Sequence, residues 1–337
     1  MASIRKKPNM SAKNASAHHK GAKNKANKRR DDRRARPVEK PAEESGDAPA
    51  IGTIQWFPGH MARTRRKIQE SLKLVDAVVE IVDARIPLSS RNPEMDSLTE
   101  GKPRMIILNK ADLADESANR RWLTYFKKQG MAAIAVDCKS GRGCNQFDAA
   151  LRELLKDLLE KWESKGANRT IRAMIVGIPN VGKSSFINRM NRGGKAKVED
   201  RPGVTRQNQW FVIEGGTQLL DTPGVLWPKF EDQTVAMRLA FTGAIKDQVL
   251  DMEEMACELL SILRRDYPKV LLERYKLTEP LNEDNYELLH DIGRKRGMLV
   301  SGGQIDIGRA SIMLLDEYRA GKLGRITLDS MEVSDHA

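Results

Sequence analysis

Along residues 51–230 short apolar runs alternate with amphipathic stretches. Residues 75–82 (VDAVVEIV), 104–108 (RMIIL) and 132–136 (AAIAV) are too short for buried helices and rich in β-branched side chains, so each predicts a buried strand. Between them, 61–74 and 117–129 carry apolar residues at helical spacing. Residues 148–161 predict one amphipathic helix, with Leu151, Leu154, Leu155, Leu158 and Leu159 on a single face. A strand at 172–176 runs into a glycine-bearing loop, and a helix is predicted at 185–190. Residues 209–213 and 218–220 read as a strand pair turning at Gly215 and Gly216. Strands interleaved with helices predict an α/β fold with a doubly wound, mostly parallel sheet. After about residue 229 the strand signal fades. Helical spacing returns at 253–263 and 306–318, so a small all-helical domain is expected.

Residues 1–50 differ in kind. They hold 14 basic and 6 acidic residues and almost no large apolar ones, so burial cannot offset the entropy of ordering. The domain expectation is a disordered basic arm at 1–50, a nucleotide domain at 51–229, a helical domain at 230–325 and a tail at 326–337. The arm reads either as an RNA-attracting extension or as a solubility tail. Of the net charge of +12, residues 51–230 carry +10 and residues 231–337 carry −6. The basic front and middle favour a polyanionic partner, nucleic acid before membrane. There is no apolar run of membrane-spanning length, no secretory h-region and no zinc spacing among Cys138, Cys144 and Cys257, so a reducing, cytoplasmic setting is expected.

The sharpest local motif is Gly177-Ile-Pro-Asn-Val-Gly182-Lys183-Ser184, between a predicted strand and a predicted helix. Backbone N–H groups of Gly177, Asn180, Val181, Gly182 and the Ser184–Ser185 helix start can cradle phosphates. Lys183 would reach the β- and γ-phosphates and Ser184 would ligate Mg²⁺. Asp221-Thr-Pro-Gly224 follows 44 residues after Gly177. Alone it is an ordinary turn. At this spacing Asp221 belongs by the Mg²⁺ shell, through water, and the Gly224 N–H by the γ-phosphate. Upstream, Asn109-Lys110-Ala-Asp112 follows a strand. The Asp112 carboxylate can accept from guanine N1–H and N2–H₂ together, a donor pair that adenine lacks. Asn109 and Lys110 would support that loop. Cys138 and Lys139, just after the third strand, fall where a second guanine-contacting loop is expected.

The guanine motifs precede the phosphate motifs, the reverse of the usual GTPase order. A circular permutation explains this, because the ends of such domains lie close together at the surface. With Trp56-Phe57-Pro58-Gly59-His60-Met61 and Asp83-Ala-Arg85-Ile-Pro87, the chain resembles the YlqF/RbgA family of ribosome biogenesis GTPases over about residues 51–325. The resemblance implies a Mg²⁺-dependent GTP hydrolase, and a monomer is expected. It would bind a precursor of the large ribosomal subunit and contact RNA through its helical domain. It makes Thr205 the switch threonine on γ-phosphate and Mg²⁺. Val225 stands where many GTPases carry a water-orienting Gln. His60 is then a candidate catalytic group, alongside its reading as a structural histidine in a turn. Asn180 is a candidate ligand for K⁺, as in potassium-dependent relatives. Two basic clusters, Arg294-Lys295-Arg296 and Arg319, Lys322 and Arg325, are the candidate RNA contacts of the helical domain. A GTP-regulated binding factor with slow, incidental hydrolysis is the alternative.

Overall fold

The computed structural model describes residues 61–167, 169–191, 209–222 and 232–331. Helix α1 (Met61–Leu72) leads into β1 (Ala77–Asp83), all seven residues of which are buried, as expected of a strand covered on both faces. Then follow α2 (Glu94–Leu98), β2 (Arg104–Asn109), α3 (Glu116–Lys128), β3 (Ala132–Ala135), α4 (Phe147–Leu154), α5 (Lys156–Ser164), β4 (Arg172–Val176) and α6 (Lys183–Met190). Strands β5 (Gln209–Val212) and β6 (Gln218–Asp221) form a hairpin through Gly215 and Gly216, whose φ values of 87° and 84° suit glycine.

The six strands lie in the order β3-β2-β1-β4-β6-β5, parallel except for the edge strand β5. The chain winds outward from β1 through β2 to β3, then returns to place β4 on the other side of β1. That reversal opens a crevice at the carboxyl ends of β1 and β4, where open α/β sheets bind their ligands. All the sequence motifs within the described residues sit at this edge of the sheet.

The helix predicted over 148–161 is two helices. Leu155 leaves helical geometry (φ −100°, ψ 13°). Leu151, Leu155 and Trp162, at i, i+4 and i+11, lie on one face across the break and enter the core together. No Gly or Pro marks this point. Phe147 on α4 meets Phe186 on α6 edge to face at 5.1 Å, tying the guanine side of the sheet to the phosphate side.

Beyond the sheet come α7 (Gln233–Phe241), α8 (Met252–Asp266), α9 (Pro268–Tyr275), α10 (Asn285–Lys295) and α11 (Ile307–Arg319). Their starts are chemically marked. Asp232, Asp251, Asp284 and Asp306 accept first-turn N–H groups, each cap worth about 1 kcal/mol, and Pro268 opens α9. Apolar faces of α8, α10 and α11 share one continuous core with the sheet.

Residues 326–329 are not a tail. Ile326 and Leu328 are buried, and their N–H groups donate to Leu113 O and Arg85 O. Asp329 accepts from Leu88 N, Ser89 N, Ser89 Oγ and Arg238. The chain returns to the start of the nucleotide half and staples it to α7.

Candidate functional site

The phosphate-type loop joins β4 to α6. Gly177 has φ 150°, and a Cβ there would lie 2.5 Å from Ile81 O of β1. Gly182 has φ 97°, and a Cβ would lie 2.2 Å from Asn109 Nδ2. Both glycines are therefore demanded by close backbone approach. Asn180 adopts φ 63°. Lys183 is buried at the start of α6, and its Nζ donates to Gly177 O at 2.9 Å and Ile178 O at 2.8 Å. Burial pulls its pKa down to about 8, against the opposing pull of Asp221. Burial likewise raises Asp221, which Lys183 partly offsets. Ser184 and Ser185 are exposed at the helix start.

Asp221 ends β6, paired in register with Ile175 of β4. Its Oδ1 is buried with no hydrogen-bond partner among the described residues. Next to it, Thr222 Oγ1 donates to Ile175 O at 2.7 Å. A buried, unpartnered carboxylate oxygen and a serine hydroxyl are hard donors, so this pair fits Mg²⁺.

Asn109 is the joint between the two halves. Its Nδ2 donates to Val181 O at 2.7 Å and its Oδ1 accepts from Cys138 N at 3.4 Å. One side chain thus fixes the first guanine-type loop, the second and the phosphate loop. Lys110 (φ 60°) reaches Asn180 O at 2.7 Å and Asp83 Oδ2 at 2.8 Å. Asp112 sits in the turn closed by Leu113 N to Lys110 O, and its carboxylate makes no hydrogen bond among the described residues. The second loop is closed by Gly141 N to Asp137 O, and Lys139 N donates to Asp137 Oδ1.

Asp83 and Arg85 carry a role that the sequence did not disclose. Arg85 is 1% exposed and forms a bidentate pair with Asp83, at 2.9 Å from Nε and 2.8 Å from Nη2. Burial works to raise Asp83, but Arg85 and Lys110 outweigh it and hold the carboxyl well below its usual range. Arg85 also lies 5.1 Å from the centre of the Tyr318 ring, and Nη1 faces Tyr318 O and Arg319 O. Arg319 in turn donates to Ala240 O and Phe241 O at the end of α7. Asn180 Nδ2 donates to Gly243 O just beyond. These contacts close a circuit from the phosphate loop through Lys110, Asp83, Arg85 and α11 to α7, and back to Asn180.

His60, Thr205, Gly224 and Val225 lie outside the described residues. Of the two basic clusters, several members are committed internally. Arg296 stacks over Tyr275 at 5.1 Å and faces Glu317, and Arg319 pairs with Asp247. Arg294 pairs with Asp291, and Arg325 with Glu116.

Loops for a guanine base and for phosphates, joined by Asn109 at the crevice of a sheet whose guanine half comes first, define a circularly permuted P-loop GTPase. Residues 172–286 match the family model described as a 50S ribosome-binding GTPase. The chain is 50% identical over 280 residues to ribosome biogenesis GTPase A of Bacillus cereus, covering 83% of this chain and 94% of that one. It is 32% identical over 279 residues to the protein of the same name from Thermotoga maritima. The solved GDP-bound structure of YlqF is 31% identical, with a TM-score of 0.53, covering 79% of this chain and all of that one. The chain belongs to the YlqF/RbgA family of ribosome biogenesis GTPases.

Proposed function

We propose that this GTPase acts as a switch in late assembly of the large ribosomal subunit, binding pre-ribosomal particles and hydrolysing GTP as they mature. The observation that carries the nucleotide reading is the bridge from Asn109 to Val181 and Cys138, which holds base-reading and phosphate-holding loops in one frame. The ribosomal reading rests on the relatives' name and on the family model. No helix of the described residues is long and apolar enough to cross a membrane, and the proposed setting is the cytoplasm. The experiment is co-sedimentation with large-subunit precursors in GTP, GDP or a non-hydrolysable analogue. Binding that depends on the nucleotide supports the proposal, and equal binding in all three contradicts a switch.

Within the site, Asp112 reads guanine, with Cys138 and Lys139 beside the base. The backbone of 177–185, Lys183 and the Gly224 N–H hold the phosphates. Ser184, Thr205 and, through water, Asp221 hold Mg²⁺, which supplies charge neutralisation for the transferred phosphoryl group. Because Lys183 sits near pKa 8, its ammonium deprotonates as pH rises past 8 in the protein alone. Bound polyphosphate restores the charged form, so GTP binding at pH 8.5 is expected to take up protons. Calorimetry in two buffers of different ionisation enthalpy checks this, and equal heats in both contradict it.

Asn180 Nδ2 is engaged with Gly243 O, which leaves Oδ1 to accept a cation. Turnover is accordingly expected to be faster in K⁺ than in Na⁺, and equal rates would remove the ion from the mechanism. With Val225 unable to orient water, His60 is the proposed catalytic group. His60→Ala should retain GTP affinity and subunit binding but lose most of the subunit-stimulated rate. Full stimulated turnover in that variant would leave His60 a structural role only.

A further inference from the structure

Arg319 is engaged by Asp247 and the carbonyls of Ala240 and Phe241, and Arg296, although exposed, by Glu317 and the Tyr275 ring. A group of exposed basic side chains lies on the outer face of α3, on the nucleotide half. There Arg120, Arg121, Thr124, Tyr125 and Lys128 line an open depression of about 360 Å³, bordered by Met331 of the returning C-terminal segment. Helical spacing sets Arg121, Thr124 and Lys128 in one row, with Arg120 and Tyr125 flanking it. Both arginines and Lys128 are exposed. Glu116 is the carboxylate that pairs here, and it is shared between Arg120 at 3.3 Å and Arg325 at 3.4 Å, so positive charge is left in excess. Arg121 donates to Ser117 Oγ at 3.0 Å and also faces the Asp115 carboxylate.

Lysines in the last turn of a helix also complement its dipole, which would account for Lys127 and Lys128 alone. It does not account for the depression or for Tyr125. That ring is fixed edge to face against Trp122 and Phe126, each at 5.3 Å between centres, and borders the depression half-buried. An aromatic ring held rigidly among arginines offers base stacking and phosphate pairing together, the combination that single-stranded RNA uses. A duplex would present phosphates to the arginines but no base to the depression.

Resting on the ribosomal reading above, we propose that this face of α3 docks an unpaired segment of ribosomal RNA. One nucleotide enters beside Tyr125, and its neighbouring phosphates meet Arg120, Arg121 and Lys128. The site lies in the nucleotide half, so RNA contact is not confined to the helical part.

The test compares the full-length protein with Arg121→Glu/Lys128→Glu, and with Lys156→Glu/Lys161→Glu on α5 as a control of equal charge change. Binding to large-subunit precursors is measured against salt, with melting temperature as the check on folding. The α3 variant should lose about tenfold or more in affinity. Its log–log salt slope should be shallower by about 1.4, at about 0.7 for each single-strand phosphate contact. The α5 control should keep most of the affinity. A photo-crosslinking residue in place of Tyr125 should join to RNA. An unchanged slope, an equal loss in the control, or a crosslink to a ribosomal protein would overturn the proposal. Failure of the wild type to bind the subunit in any nucleotide state would overturn the ribosomal reading itself, whereas wild-type binding that survives the α3 reversal unchanged overturns only this surface.

Discussion

Replacing Asp83 by alanine is expected to lower the unfolding free energy by about 3–5 kcal/mol, because Arg85 is left charged and buried without its partner. Lys110, on the same carboxylate, is partly exposed and can turn to water, so the cost falls chiefly on Arg85. Arg85 also faces carbonyls at the end of α11, and its own carbonyl accepts from Leu328. The damage should therefore loosen the helical part and the 326–329 staple together. Urea unfolding measures the loss. Removing both charges in Asp83→Ala/Arg85→Met should recover much of it, because no lone buried charge remains. An Asp83→Ala variant as stable as the wild type would show that the pair is dispensable.

The second large effect lies on the base. Asp112→Asn is expected to weaken GTP and GDP binding by on the order of 10²-fold or more, since the guanine donor pair would face an amide in place of a carboxylate. The loop itself should survive. Its shape is set by backbone bonds from Ala111 N to Val136 O and Leu113 N to Lys110 O, and Asp112 contributes to neither through its side chain. A melting temperature near that of the wild type with lost nucleotide affinity is the expected pattern. Unaltered GTP affinity would remove the guanine assignment.

Much of the architecture was legible because its signals are local. Strands β1 and β2 are buried on both faces and so read as continuous apolar runs, and the glycine loop declares itself by residue type at fixed spacing. The order of motifs alone exposed the permutation. What escaped depends on contacts between distant residues. The break at Leu155 has no Gly or Pro in the sequence to announce it. Charged residues default to solvent, so Arg85 read as part of a motif and Arg319 as an RNA contact. Burial under α11 and the carbonyls at the end of α7 claimed them instead. Asp329 is a single carboxylate near the end of the chain, and only the fold shows the three N–H and O–H donors of Leu88 and Ser89 that it satisfies.

The Asn109 bridge has a parallel lesson. Its motif suggested a supporting role in one loop, yet the side chain joins three. The two guanine-type loops and the phosphate-type loop are therefore held in one frame. Through Lys110, Asp83 and Arg85 that frame contacts the end of α11.

The central claim, a GTPase switched by the particle it helps to assemble, meets its most direct test in the GTP turnover of the full-length protein, measured with and without large-subunit precursors in Mg²⁺ and K⁺. The account predicts slow basal hydrolysis that rises at least about tenfold with the precursor and returns to the basal rate when His60 is replaced by alanine. Identical turnover with and without the particle would contradict it, leaving a binding factor whose hydrolysis is incidental.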